Sequence, residues 1–245
     1  MRARLIAFVL VAGISSAALA QHEAALDPAN NNVANTASLQ RGAKYFVNYC
    51  MGCHSAQYVR YNRLARDLQL TEEQLVENLM FTGERPFDTM AIAMRPEDSA
   101  RWFGITPPDL SLISRSRGTD YLYTFLRSFY EDPSSPTGVD NIVLPGTAMP
   151  HVLWELQGIQ RAVFATSEDH GAAQEVFDGF EMVRPGALSA VEYDQVVRDI
   201  VNFLDYIGEP MQRERQALGI RVIAFLLVFL LIAYLLKKEI WKDVK

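Results

Sequence analysis

Cys50-Met51-Gly52-Cys53-His54 forms a C-x-x-C-H run, the attachment pattern of a c-type haem. Two thiols at this spacing match the two vinyl groups of a porphyrin edge, and each can add to one of them to form a thioether. The imidazole that follows falls beneath the iron as an axial ligand. The chain has two cysteines, so the pattern uses both. Other readings ask for more than the chain supplies. A thioredoxin-like dithiol belongs in a βαβ setting, which does not surround this run. A structural zinc site needs two further ligands at matched spacing, whereas His22, His151 and His170 stand singly. A disulfide across two residues is strained and closes almost no loop. The expectation is a domain built around a cofactor, not around a sheet.

Both ends of the chain point to a membrane. Arg2 and Arg4 precede a short apolar run over residues 5–14, and Ala18-Leu19-Ala20 is an A-x-A-type cleavage site. This reads as an export signal, residues 1–20, too short to span a bilayer. From 218 to 236 the only charged residue is Arg221. At about 1.5 Å per residue this stretch matches a hydrocarbon core of roughly 30 Å. Arg221 can snorkel toward the head groups, and Tyr234 and Trp241 suit an interface. Lys237, Lys238, Lys242 and Lys245 follow as the cytoplasmic flank. The expected division is a signal peptide at 1–20, an exported haem domain at 21–210, a linker and transmembrane anchor at 211–236, and a cytoplasmic tail at 237–245. Lys and Arg number 23 against 29 Asp and Glu, a formal net charge of −6, which argues against nucleic acid as a partner.

Within the exported part, Ser38 is placed to cap a helix running to Tyr49. Thr71-Glu72-Glu73-Gln74 is a capping box, with a helix expected to about Phe81. Residues 86–98 read as irregular. Residues 120–130 read as a buried helix stopped by Pro133. Residues 145–150 form a loop with a proline at each end, and 161–183 alternate irregularly, as in a small hairpin or an excursion. Ser189-Ala190-Val191-Glu192 is a second capping box. The helix after it carries Tyr193, Val196, Val197, Ile200, Leu204 and Ile207 on one face, with Gly208 as its stop and Pro210 opening the linker.

A second axial ligand must reach the opposite face of the ring from a separate segment. Met149, in the loop Pro145-Gly146-Thr147-Ala148-Met149-Pro150, is the preferred candidate, since a stiff loop can hold a thioether in place. Met90 and Met94 compete with it, and His151 is a weaker rival. Met51 lies inside the attachment loop and cannot swing across the ring. A thioether raises the reduction potential relative to a second imidazole.

Taken together, three blocks resemble the cytochrome c1 family. The first runs from Arg41 through Tyr49 into the haem motif and Ser55. The second is Pro107-Pro108-Asp109-Leu110-Ser111 with Arg115-Ser116-Arg117-Gly118 and Asp120-Tyr121. The third is the loop that carries Met149. The single C-terminal anchor is also a trait of that family. The resemblance implies a mostly α fold: a class I cytochrome c-like haem domain with long loops, plus one C-terminal transmembrane helix. It implies one haem c, attached through Cys50 and Cys53, with His54 as proximal and Met149 as distal ligand and Arg117 on a propionate. It places the Pro107-Pro108 segment on the proximal side, where a backbone carbonyl can accept the His54 Nδ1–H bond. The stretch between Arg117 and Asp120 is shorter than in mitochondrial relatives. The implied role is electron transfer in a dimeric respiratory cytochrome bc1 complex, alongside cytochrome b and the Rieske iron–sulfur protein. The acceptor would be a cytochrome c, and no bond-making chemistry would occur in the subunit itself. The haem domain would lie in the periplasm and the C-terminus in the cytoplasm.

Overall fold

A computed structural model describes residues 25–169 and 172–242. The expected export signal and the last three residues of the tail lie outside the described residues. Helix α1 spans Thr36–Tyr45 and widens into a π-helical turn at Phe46–Cys50. Such single turns are frequent at functional sites. Asn35, not Ser38, caps α1, its side chain accepting the Ser38 N–H at 3.1 Å. The Ser38 hydroxyl instead donates to Asp199 at 2.6 Å. A tertiary partner thus takes the group that local reasoning assigned to the cap.

After the haem motif come β1 (Ala56–Arg60), α2 (Tyr61–Asp67) and α3 (Glu72–Asn78). The Thr71/Gln74 capping box is present. Helix α3 ends at Asn78, short of Phe81, where the Asn78 side chain donates to the Gln74 carbonyl. Residues 86–98 are not wholly irregular. They hold β2 (Thr89–Met90), antiparallel to β1, and the first turn of α4 (Pro96–Phe103), with Pro96 in its first turn and Gly104 at φ 76° closing it. Helices α5 (Ile113–Arg117) and α6 (Thr119–Arg127) follow, joined by Gly118 at φ 88°. Helix α6 stops before Tyr130. The Ser128 hydroxyl donates to the Thr124 carbonyl at 2.6 Å, and the chain turns into β3 (Phe129–Glu131), paired with β4 (Val139–Asn141). Pro133 therefore sits in the β3–β4 turn and does not terminate the helix.

Helix α7 (Trp154–Gln157) leads into a long antiparallel hairpin, β5 (Gly158–Asp169) and β6 (Ala172–Pro185). Helix α8 (Ala190–Gly208) starts at the Ser189/Glu192 capping box. Its six apolar-face residues named above are all buried, as their three- and four-residue spacing requires. Gly208 is the last helical residue, and its role is packing. A Cβ there would lie 2.5 Å from the Ser114 Oγ, so α5 and α8 approach closely at this point.

The core is the crossing of α1 and α8. A Cβ on Gly42 would meet the Asp199 carbonyl oxygen at 2.1 Å, and the Phe46 and Phe203 rings sit 5.4 Å apart just below. Asp199 is buried, yet its carboxylate accepts from Ser38, from Gln195 and, bidentately, from Nε and Nη2 of Arg41. Helix α9 (Gln212–Ile240) is apolar along most of its length and buries none of its residues. At about 1.5 Å per residue it is roughly 43 Å long, enough to cross a membrane. Three residues separate it from α8, and it is tied down by Glu209, which accepts from Arg115 at 2.8 Å and from Arg215 at 3.1 Å.

Candidate haem site

The haem motif leaves the π-helical turn as a tight loop, with the N–H groups of Cys53 and His54 both donating to the Cys50 carbonyl at 3.1 and 2.9 Å. Cys50 is buried and Cys53 half-buried, and both are free thiols. Burial pushes the Cys50 thiol up to about 12 and raises Cys53 as well. Both are therefore neutral thiols, the reactants of a thioether-forming addition. Met51, between them, is buried, and the Tyr61 hydroxyl donates to its sulfur at 3.7 Å. It anchors the loop to the core.

His54 Nδ1 lies 2.8 Å from the Pro108 carbonyl oxygen. A carbonyl only accepts, so Nδ1 carries the hydrogen and Nε2 keeps its lone pair. Burial depresses the imidazole's pKa, opposed by the Pro108 bond and by the nearby Asp109 charge. The result is a neutral, oriented imidazole with a free donor atom. These donors fit a c-type haem: two neutral thiols two residues apart in a tight loop and an imidazole whose Nδ1 is engaged, leaving Nε2 with its lone pair.

The proximal loop is laced to β1. Leu110 N–H donates to the Ser55 carbonyl at 2.8 Å, Gln57 N–H to Asp109 Oδ2 at 2.9 Å and Tyr58 N–H to Ser111 Oγ at 3.1 Å. The Ser55 hydroxyl accepts from Ile92 N–H at 3.0 Å, drawing in the chain after β2.

Met149 is partly buried and packs against the main core, its N–H donating to Thr147 Oγ1 at 3.4 Å. The loop that delivers it is braced by Asp140, which accepts from Gly146 N–H at 2.7 Å, and by fully buried Asn141, which accepts from Val143 and donates to the Phe125 carbonyl. Among the rivals, Met90 is wholly buried opposite Ala56 in the β1–β2 pair, and Met94 is half-buried. His151 is buried, stacked 5.0 Å from the Phe129 ring, and burial lowers it to about 4. Among the described residues its Nε2 has no hydrogen-bond partner. Arg117 ends α5 with its guanidinium 5.5 Å over the Tyr121 ring and forms no ion pair among the described residues.

The Cytochrome C1 family model matches residues 30–244. The chain belongs to the cytochrome c1 family. A cytochrome c1 of Allochromatium vinosum is 52% identical over 219 residues, 89% of each chain. A Nitrosomonas europaea protein named ammonia monooxygenase gamma subunit is 42% identical across 98% of this chain and 99% of its own. A cytochrome c1 of Rhodospirillum rubrum is 27% identical across 84% and 82%. Cytochrome c1 homologues carry haem c and serve as the electron-carrying subunit of the ubiquinol–cytochrome c reductase, or bc1, complex.

Asp109 and Ser111 stand in the sequence only as members of a motif block, with no role of their own, and Asp140 and Asn141 are site residues that sequence reasoning did not name. The available signal was their type and spacing. Asp109 Oδ1 accepts from Ser111 N–H two residues on, at 2.8 Å, the Asx-turn pattern of a short acidic residue in a loop.

Proposed function

We propose that this chain is the haem-bearing electron-transfer subunit of a respiratory bc1 complex, taking one electron from the Rieske iron–sulfur protein and passing it to a cytochrome c. One covalently attached haem c supplies the Fe(III)/Fe(II) couple when bound. Cys50 and Cys53 would hold its edge through thioethers, His54 Nε2 and the Met149 sulfur would be the protein's ligands to the iron, and Arg117 would pair with a propionate through a charge-assisted contact. Two iron ligands supplied by the chain would leave small oxidants no vacant coordination site. The subunit's own work is to hold these donors still; it makes and breaks no substrate bond.

The observation that carries this reading is the 2.8 Å contact between His54 Nδ1 and the Pro108 carbonyl, which sets the tautomer an axial ligand needs. The same reading divides the chain into a signal peptide (1–20), a periplasmic haem domain (21–210), a linker and inner-membrane anchor (211–236) and a cytoplasmic tail (237–245). Helix α9, free of burial over its whole length, supports the anchor. Cytochrome b, the Rieske subunit and a second copy of the assembly complete the expected partners.

The test is a reduced-minus-oxidised spectrum and redox titration of the complex extracted in mild detergent. The expected result is a low-spin c-type spectrum, a b-type haem and an iron–sulfur protein recovered together, and negligible carbon monoxide binding by the reduced native form. Fast carbon monoxide binding would favour a haem enzyme with an open position, a chemistry nearer to the oxygenase name carried by the Nitrosomonas relative. Recovery without cytochrome b would favour a tethered carrier outside the complex.

A further inference from the structure

We infer that Asp109 is a positioning residue for the proximal ligand: its carboxylate, clamped between two backbone N–H groups, aims the Pro108 carbonyl at His54 Nδ1 and thereby holds the reduction potential down. The inference rests on His54 being an axial ligand. The Pro108 carbonyl and the Asp109 nitrogen belong to one planar peptide unit, so whatever fixes Asp109 fixes the direction of that oxygen. Asp109 Oδ2 takes the Gln57 N–H at 2.9 Å and Oδ1 takes the Ser111 N–H at 2.8 Å. One side chain thus ties the loop to β1, three residues beyond His54, and also closes its own turn. Pro108 fixes φ on the other side of the same peptide, and as the residue before it Pro107 is held extended. Leu110 N–H to Ser55 O and Tyr58 N–H to Ser111 Oγ, at 2.8 and 3.1 Å, complete the lacing. No regular ladder holds residues 107–111; the Asp109 and Ser111 side chains and one backbone bond replace it.

Two consequences have the same sign. A bonded Nδ1–H makes the imidazole a stronger donor, which favours Fe(III). A carboxylate close to the imidazole favours the more positive oxidation state as well. Asp109→Asn removes the charge and presents an N–H₂ group to one of the two backbone N–H groups, so one clamp is lost. The reduction equilibrium should move toward Fe(II) by about tenfold, 59 mV for a one-electron couple.

The experiment uses the full-length, haem-loaded chain in detergent, labelled with ¹⁵N-histidine. With four histidines in the chain, the His54 ring resonances are separable. In the wild type, His54 Nδ1–H should be protected from solvent exchange. In Asp109→Asn the protection should fall by more than tenfold, the potential should rise and the haem-stained band should persist. Asp109→Glu keeps the charge but its longer arm reaches only one N–H, so it should lose part of the protection. That variant answers if Asp109→Asn loads too little haem. Wild-type potential and full Nδ1–H protection in either variant would overturn the inference. A His54→Ala chain that kept its low-spin spectrum would instead overturn the ligand assignment, a separate outcome.

Discussion

Substituting Gly42 with alanine should destabilise the haem domain, and the structure sets the size of the effect. Gly42 faces α8 at the core crossing. The new Cβ would lie 2.1 Å from the Asp199 carbonyl oxygen, 2.7 Å from Phe203 Cβ and 2.9 Å from the Asp199 carbonyl carbon. Ordinary contact begins at 3.4 Å, so α1 would have to retreat by about 1.3 Å. The obstacle is backbone, which cannot rotate aside, so the overpacking cost belongs at the upper end of its range, about 3 kcal/mol. Alanine recovers about 1 kcal/mol of helix propensity, leaving a net loss of about 2 kcal/mol. Retreat also stretches the contacts from Ser38 and Arg41 to Asp199, at 2.6 Å each. Arg41 is half exposed, so that pair adds little beyond the steric term.

For a domain of this length a loss of about 2 kcal/mol lowers Tm by roughly 4–8 °C. The assay is thermal denaturation of the full-length, haem-loaded chain in detergent, followed at the Soret band. Gly52→Ala is the internal control. Gly52 lies inside the haem motif, but a Cβ there meets nothing within 4 Å, so its effect should stay within about 0.5 kcal/mol. A Gly42→Ala chain as stable as wild type would refute the close α1–α8 crossing, and with it the account of how the haem motif is seated on the core.

Met149→Leu should lower the potential by at least a tenfold change in the reduction equilibrium, 59 mV, and open the iron to carbon monoxide; an unchanged redox titration would remove Met149 from the site. Cys50→Ser or Cys53→Ser should lose normal covalent attachment, read as a fall in haem stain on a denaturing gel. Arg117→Gln should shift the potential downward or loosen haem retention, and an identical titration would make it a surface charge stacked on Tyr121. Burial holds His151 near 4 in the folded chain against an ordinary 6.5, so below 6.5 the unfolded chain binds the extra proton. Stability is then full above about pH 6.5 and falls as pH drops toward 4, by up to about 3 kcal/mol. His151→Leu should flatten that slope in denaturant titrations, and an unchanged slope would assign it to other groups.

What could be read from the chain beforehand follows how local each cause is. The capping boxes at Thr71 and Ser189 and the buried stripe of α8 need only neighbours a few residues away, and the structure has all three. The start of α1 does not. Asn35 and Ser38 are both competent caps, and the choice falls to Asn35 because Ser38 is claimed by Asp199, 161 residues on. The start of α4 was legible and passed over: Pro96 in the first turn followed by Glu97 and Asp98 is an N-terminal signature. The β5–β6 arm was hard to read for another reason. Val163, Phe164, Phe177 and Phe180 are exposed, so these apolar side chains follow no buried face with a two-residue period. At the site, residue types named the donors, but not what orients them. The Pro108 carbonyl was foreseeable as a class of partner for His54; Asp109 as its holder was not.

Both segments expected to bear on the metal lack regular backbone pairing, and both are stiffened in one way. Short acidic or amide side chains accept backbone N–H bonds in place of a neighbouring strand. On the proximal side Asp109 accepts from Gln57 and Ser111. On the other side Asp140 accepts from Gly146 and Asn141, while Asn141 accepts from Val143 and Leu144 and donates to the Phe125 carbonyl. A helix or strand would satisfy those N–H groups but would dictate the path of the chain. Side-chain acceptors satisfy them along an arbitrary path, so a loop can be rigid and still shaped to a flat cofactor. Rigidity matters for an electron carrier, because ligands that shift between oxidation states slow transfer. It also concentrates the risk. Fully buried Asn141 engages its amide as both donor and acceptor, so an apolar residue there takes the side-chain partner from the Val143 and Leu144 N–H groups and leaves the Phe125 carbonyl with only the Ser128 N–H; a buried N–H left without a partner costs about 1–3 kcal/mol. The loop most exposed to that loss is the one that carries Met149.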